Sequence, residues 1–146
     1  MNTFETKLNG MLYGLMRWSD WDQLRTALSG APEKSWYAYA VGTELPVEPM
    51  RPVALAVLLN EIDDLLRRDH AESYLGIVYV DDPVTPSLIK IFDPNQLGAT
   101  CGSIGHKVPP GWVLSLDPPS HIEAVAPLPG NRKRWWEALR LQFSGT

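Results

Sequence analysis

Residues 51–69, which read RPVALAVLLNEIDDLLRRD, decide the fold of this chain. Pro49 and Pro52 stand where proline is tolerated at a helix start. An apolar stripe at three- and four-residue spacing then follows: Leu55, Leu58, Leu59, Ile62, Leu65 and Leu66. The stripe predicts a central helix over about 51–69 that packs across a sheet. Asp63 and Asp64 are adjacent and point about 100° apart, which favours a structural or solvated role over a shared metal site.

Strand-like runs lie on both sides of this helix. Aromatic and β-branched residues recur in 35–41, 75–80, 88–92 and 112–116, and a further short strand fits 121–126. The turn-rich residues 81–86 join two of these runs as a hairpin. Hairpins connect antiparallel strands, so we expect a mainly antiparallel sheet of four to five strands.

Three further helices are predicted outside the centre of the chain. An N-terminal pair covers 3–16, where apolar residues keep helical spacing, and 20–29, where Ser19 and Asp22 resemble a capping box and Gly30 marks the stop. A C-terminal helix over about 132–143 presents apolar residues that include Trp136. The sequence therefore predicts a single α+β domain over 1–146, with three to four helices packed on the sheet.

Composition narrows the functional classes. The 146 residues are 45% hydrophobic and 21% charged, as in ordinary globular domains. A formal net charge of −4 argues against nucleic acid as a partner. No apolar run reaches the roughly 20 residues of a membrane span, and the N-terminus lacks signal-peptide features, so we expect a cytoplasmic protein and no membrane partner. The lone cysteine cannot form an internal disulfide.

The charge is unevenly distributed along the sequence. Residues 131–146 carry four basic side chains against one acidic, a local balance of +3, so the preceding part has a balance of −7. The basic stretch, with Arg132 and Arg134 beside Trp136, fits docking on an acidic body, either its own or that of a symmetry mate in a homo-oligomer. It also fits an acidic protein partner.

The long connection over 93–112 is the main functional lead. Asp93 before Pro94 starts a helical turn that Gly98 can end. Glycines at 98, 102 and 105 let backbone N–H groups approach a ligand closely, as in anion-binding nests. The spacing matches neither a phosphate-binding P-loop nor a dinucleotide fingerprint, so no cofactor is predicted.

Cys101 and His106 are the candidate catalytic residues of this loop. His106 lies close enough in sequence to lower the pKa of the Cys101 thiol, which would make a nucleophile, although a free cysteine is more often a packing residue. A triad of Ser103, His106 and Asp93 lacks the expected nucleophile elbow. Ligand spacing for a metal is also missing, so no metal site is predicted.

Two functional classes remain open. The favoured one is a small, non-enzymatic accessory or regulatory protein that acts through protein–protein recognition, because it needs no converging catalytic groups. The alternative is a thiol-dependent enzyme or a small-ligand or anion site centred on Cys101 and His106. The candidate binding residues, taken from the loop and the C-terminal helix, are Asp93, Asn95, Gly98, Cys101, Gly102, Ser103, Gly105, His106, Trp112, Arg132, Arg134 and Trp136.

Overall fold

The computed structural model describes residues 2–70, 72–97 and 109–123. In chain order their helices and strands are α1 (Thr3–Leu8), β1 (Tyr13–Leu15), α2 (Trp18–Ser29), β2 (Tyr37–Ala40), α3 (Pro52–Asp69), β3 (Val78–Val80), β4 (Leu88–Ile91), α4 (Pro94–Leu97) and β5 (Trp112–Ser115). The predicted C-terminal helix at 132–143 lies outside the described residues. The described helices are thus the N-terminal pair, the central helix and the single turn of α4.

The five strands form one antiparallel sheet in the order β1-β3-β4-β5-β2. β3 and β4 are joined as the predicted hairpin, while β2 reaches the sheet by pairing with β5, far along the chain. The α+β class and the antiparallel sheet are therefore confirmed. Among the described strands, β1 and β2 form the two edges of the sheet.

Helices α2 and α3 cover one face of the sheet and enclose the larger core. The predicted stripe of α3 contributes to this core, with Leu58, Ile62 and Leu66 fully buried. Alternate residues of the strands point into the same core, as the twofold periodicity of a strand requires. Three buried tryptophans, at positions 21, 36 and 112, fill much of the remaining space. The helix that dominates the sequence pattern therefore packs into the larger core.

A polar seam joins α2 to α3. The indole N–H of the buried Trp21 donates to Asp63 Oδ1 at 2.8 Å, and Arg67 Nε donates to the same oxygen at 2.8 Å. Arg67 also donates to Asp22 Oδ1 at 2.7 Å, the atom that Arg25 contacts at 2.7 Å. The hydrogen bond from Arg25, together with that from Arg67, holds the pKa of Asp22 below its ordinary value. Asp63 therefore has a structural role in the seam between the two helices.

The other face of the sheet is only partly covered. Helix α1 packs Phe4 into a second, smaller cluster with Tyr39, Leu88 and Val113. Lys7 Nζ fixes the helix from the outside by donating to Asp117 Oδ2 at 2.8 Å. Because α1 is only six residues long, it covers only part of this face, from Leu88 at the start of β4 to Tyr39 on β2. Tyr79 on β3 and Lys90 on β4 lie outside this cluster.

The predicted helix over 3–16 is wrong in its second half. Helix α1 ends at Leu8, where Asn9 is the C-cap and donates its backbone N–H to Glu5 O, and β1 begins at Tyr13. Gly10 follows the cap, and glycine favours helix ends. The apolar residues beyond it belong to an edge strand that pairs with β3. The fifth strand of the sheet is thus β1 rather than the strand predicted at 121–126.

Other element ends also differ from the predictions. Helix α2 starts at Trp18, and its first turn is capped by Asp20, whose carboxylate accepts from Arg17 N, rather than by the predicted Ser19 box. Gly30 ends this helix as predicted. Residues 121–123 form no strand, and residues 124–126 lie outside the described part. Within the ranges that are described, no helix has the length and apolar character needed to cross a bilayer.

Candidate recognition groove

A row of side chains crosses the partly covered face of the sheet. Strand register places Gly14, Tyr79, Lys90, Val113 and Tyr39 opposite one another on successive strands. Directly paired residues of antiparallel strands share one face. Helix α1 covers the Val113 and Tyr39 end of the row, so Tyr79 and Lys90 form an open floor.

A groove of about 760 Å³ lies above this floor. Its volume falls within the range of roughly 300–1,000 Å³ typical of binding sites. The walls come from the end of α1, from the residues before β5 and from the last described residues, namely Leu8, Asn9, Gly10, Leu12, Pro109, Pro110, Ile122 and Glu123. The groove therefore combines segments from five separate parts of the sequence.

Aromatic and cationic groups meet on the groove floor. The rings of Tyr79 and Phe92 meet edge to face, with centroids 5.8 Å apart and an interplanar angle of 85°. Lys90 Nζ lies 5.2 Å from the centroid of the Phe92 ring, a cation–π distance. A Cβ at Gly14 would lie 3.1 Å from Tyr79 Cε2, so the absence of a side chain there makes room for the tyrosine ring. The floor can offer apolar contact area and a positive charge.

Polar contacts hold the walls in place. The backbone N–H of Ile122 donates to the hydroxyl of Tyr39 at 3.2 Å. The hydroxyl of Ser120 donates to Glu5 Oε1 at 3.0 Å and ties the same segment to α1. Because these contacts join distant parts of the chain, the groove is built by tertiary structure.

The sequence-predicted site residues fall into two groups. Asp93, Asn95 and Trp112 are described. The other nine, at positions 98, 101, 102, 103, 105, 106, 132, 134 and 136, lie outside the described residues, as do both candidate catalytic residues. A thiol or anion site centred on Cys101 and His106 therefore stays a prediction.

The three described residues contribute to the fold near one end of the loop. Asp93 Oδ1 accepts from the backbone N–H of Asn95 at 2.9 Å and caps the helical turn predicted after it. The Asn95 side chain donates to Asp69 Oδ2 at 2.9 Å and so connects α4 to the end of α3. Trp112 is buried in the larger core. None of these three lines the groove, whereas Pro109 and Pro110 of the same loop do.

Metal ligation has no support among the described residues. No group of three or more His, Cys, Asp or Glu side chains converges there. His70 Nε2 lies 2.6 Å from the carbonyl of Leu75, and His121 Nε2 lies 3.2 Å from Glu123 Oε2 at the exposed end of the described chain. Each of these histidines has a local hydrogen-bonding partner.

Sequence reasoning missed the groove floor. Tyr79 and Lys90 were included in predicted strands but were not selected as site residues. The alternation of side chains along the two strands does indicate their position. Tyr79 stands between two buried valines and Lys90 between two buried isoleucines, so both point to the opposite face of the sheet. An aromatic and a cation on the outer face of interior strands indicate a face that is not fully buried.

Comparison with known proteins gives no assignment for this site. No protein-family model matches the chain, and neither curated proteins nor solved structures yield a match. The function must therefore be argued from the groove and its surroundings.

Proposed function

We propose that this protein is a small accessory or regulatory protein that binds a segment of a partner protein in the groove between α1 and the β3–β4 strands. The observation that carries the proposal is the floor of Tyr79, Lys90 and Phe92 beneath walls that combine apolar residues with Asn9 and Glu123. Aromatic residues are enriched at protein interfaces, where they supply large contact areas. Such a role needs no reacting groups in the groove.

Two wall segments of the groove are close in sequence to the regions singled out above. Residues 98–108 of the glycine-rich loop precede Pro109, which lines one wall. The basic C-terminal stretch begins eight residues after Glu123, which also lines the groove. This proximity in sequence supports a proposal that joins the groove and the two segments in one recognition region.

Charge defines the partner segment that fits best. Lys90 contributes a positive charge on the floor, and residues 131–146 add a balance of +3 nearby in sequence. We therefore expect an acidic segment with apolar side chains. Its apolar groups would enter the groove, and its carboxylates would be attracted by Lys90 and by the basic stretch. Complementary charges of this kind raise association rates and exclude wrong partners.

Site-specific photo-crosslinking tests the proposal in the cell of origin. A photoreactive amino acid replaces Glu123 at the groove, and in a control replaces Val84, which is 87% exposed in the β3–β4 turn. We expect one partner protein to be linked from position 123 and not from position 84. That protein is then purified, and its affinity is measured with the wild-type chain.

A charge reversal on the groove floor then tests whether the groove itself binds this partner. Lys90→Glu is expected to weaken binding by about tenfold or more, because a carboxylate on the groove floor would repel an acidic segment. Val84→Lys, as a matched surface control, should leave the affinity unchanged. Equal linking from both probe positions, or an affinity that Lys90→Glu does not alter, would overturn the proposal.

A further inference from the structure

The two edges of the sheet are protected very differently. Beside β2, Trp36 and Met50 form a β-bridge, with Met50 N donating to Trp36 O at 2.7 Å. The intervening residues 42–49 contain two prolines and two glutamates. Proteins commonly guard exposed edges with prolines, charges and covering loops, since an open edge can pair with another chain. The β2 edge is guarded in this way.

The edge formed by β1 carries neither charges nor prolines. Residues 9–16, which read NGMLYGLM, contain no charged residue and no proline. Their exposed fractions are high for apolar side chains, at 76% for Met11, 47% for Tyr13 and 54% for Met16. Among the described residues, the outer side of β1 has no strand partner.

Exposed apolar side chains are concentrated at this edge. Tyr74 is 52% exposed and lies near Met16. Both side chains lie within 4.0 Å of the position that a Cβ would take at Gly76. Met11, Tyr13, Met16 and Tyr74 make up four of the eight large apolar side chains exposed in the described part of the chain. Clustering of this kind marks interaction sites more than scattered exposure does. We call these four residues, together with β1, the β1 edge.

The absence of charge favours a second copy of the chain as the occupant. A twofold axis places the same surface on both sides of the contact, so any charge at the centre would face its own like charge. Residues 9–16 avoid that repulsion completely. The same stretch offers an acidic or basic partner nothing to recognise by charge.

We propose that two copies of this protein associate through their β1 edges, pairing β1 antiparallel with its symmetry mate to form a continuous ten-stranded sheet. The contact is small. Tyr13 and Tyr74, each about half exposed, offer on the order of 100 Å² apiece. With the two methionines they supply roughly half of the ~800 Å² that each partner buries in a standard interface. The dimer is therefore expected to dissociate in the micromolar range.

Sedimentation equilibrium of the full chain tests this directly. Samples from about 1 to about 500 µM bracket micromolar dissociation constants, and the average mass should rise from that of one chain to that of two. Tyr13→Glu should weaken the dimer by about tenfold or more, because like charges then lie within roughly 8 Å across the axis. Val47→Lys changes an exposed apolar side chain in the loop that follows β2, the strand at the opposite edge of the sheet, and should leave the dimer intact.

A mixing experiment distinguishes a second copy from any other effect of the substitution. Tyr13→Glu and Tyr13→Lys should each be monomeric alone, and an equimolar mixture should dimerise again as opposite charges meet at the axis. Far-UV circular dichroism confirms that both variants are folded. A wild-type chain that stays monomeric up to the highest concentration, or a dimer unaffected by Tyr13→Glu, would overturn the proposal, as would a mixture that remains monomeric.

Discussion

Replacing Asp63 should reveal how strongly the seam between α2 and α3 supports the fold. Its carboxylate, only 14% exposed, accepts from Trp21 Nε1 and Arg67 Nε at 2.8 Å each and lies 3.6 Å from Arg25 Nη2. Asp63→Ala removes all three contacts. The indole N–H of the buried Trp21 then loses its acceptor among the described residues.

The expected loss in the free energy of unfolding is the sum of the contributions of these contacts. Leaving a buried donor unsatisfied costs about 1–3 kcal/mol. The pair with Arg67 adds less than about 1 kcal/mol, because that arginine is nearly half exposed and solvent screens the interaction. We therefore expect Asp63→Ala to lower the free energy of unfolding by about 2–3 kcal/mol. Asp63→Asn keeps an oxygen acceptor for Trp21 and should cost about 1 kcal/mol.

Urea unfolding followed by far-UV circular dichroism measures these differences. Asp64→Ala is the matched control, because the neighbouring carboxylate is exposed and its removal should change stability by no more than about 0.5 kcal/mol. The reasoning is refuted if Asp63→Ala unfolds within about 0.5 kcal/mol of wild type. It is also refuted if the Asn and Ala variants are equally destabilised, since the indole hydrogen bond would then contribute nothing.

Two further predictions concern the turns that shape the sheet. Burial raises the pKa of Asp81, but hydrogen bonds from the Ser87 hydroxyl and from the amides of Ser87 and Leu88 outweigh it and leave the pKa below its ordinary value. Asp81→Asn should therefore cost about 1–2 kcal/mol at pH 7. Its deficit against wild type should shrink as the pH falls below about 4, because the carboxylate of the unfolded wild-type chain then binds a proton more readily than that of the folded chain. A deficit that stays constant from pH 7 to pH 3 in urea titrations would contradict this. Gly76 has φ +70, and a Cβ there would lie 3.1 Å from the Tyr74 ring. Gly76→Ala should therefore lower the free energy of unfolding by about 1–2 kcal/mol, and the thermal midpoint with it. Gly76→Asn should cost less, because asparagine tolerates the left-handed region. Equal midpoints for Gly76→Ala and wild type would show that this turn carries no such strain.

Local sequence signals were sufficient for the elements whose evidence lies within a few residues. Helix α3 runs from Pro52 to Asp69, as its apolar stripe and N-terminal prolines predict. The β3–β4 hairpin and the single turn of α4 after Asp93 also follow from local turn and capping residues. Capping and helical periodicity involve contacts up to four residues apart, so they can be read from one segment alone.

In the N-terminal segment, local sequence signals predict the wrong element. Leu8, Leu12 and Leu15 have the spacing of a helix face, yet the chain leaves the helix at Asn9 and pairs Tyr13–Leu15 with β3. The pairing partner lies more than sixty residues away in sequence. Its hydrogen bonds outweigh a local preference that is worth only tenths of a kcal/mol per residue.

The sequence by itself determined the fold class, the central helix and the antiparallel character of the sheet, because these follow from periodicity and turn chemistry. Only the tertiary structure decided which strands form the edges and which side chains share a face. The groove floor and the β1 edge both depend on that register, which brings Gly14 beside Tyr79 and Tyr79 beside Lys90. Strand register is set by long-range packing and pairing, so the surfaces on which both proposals rest become visible only in the folded chain.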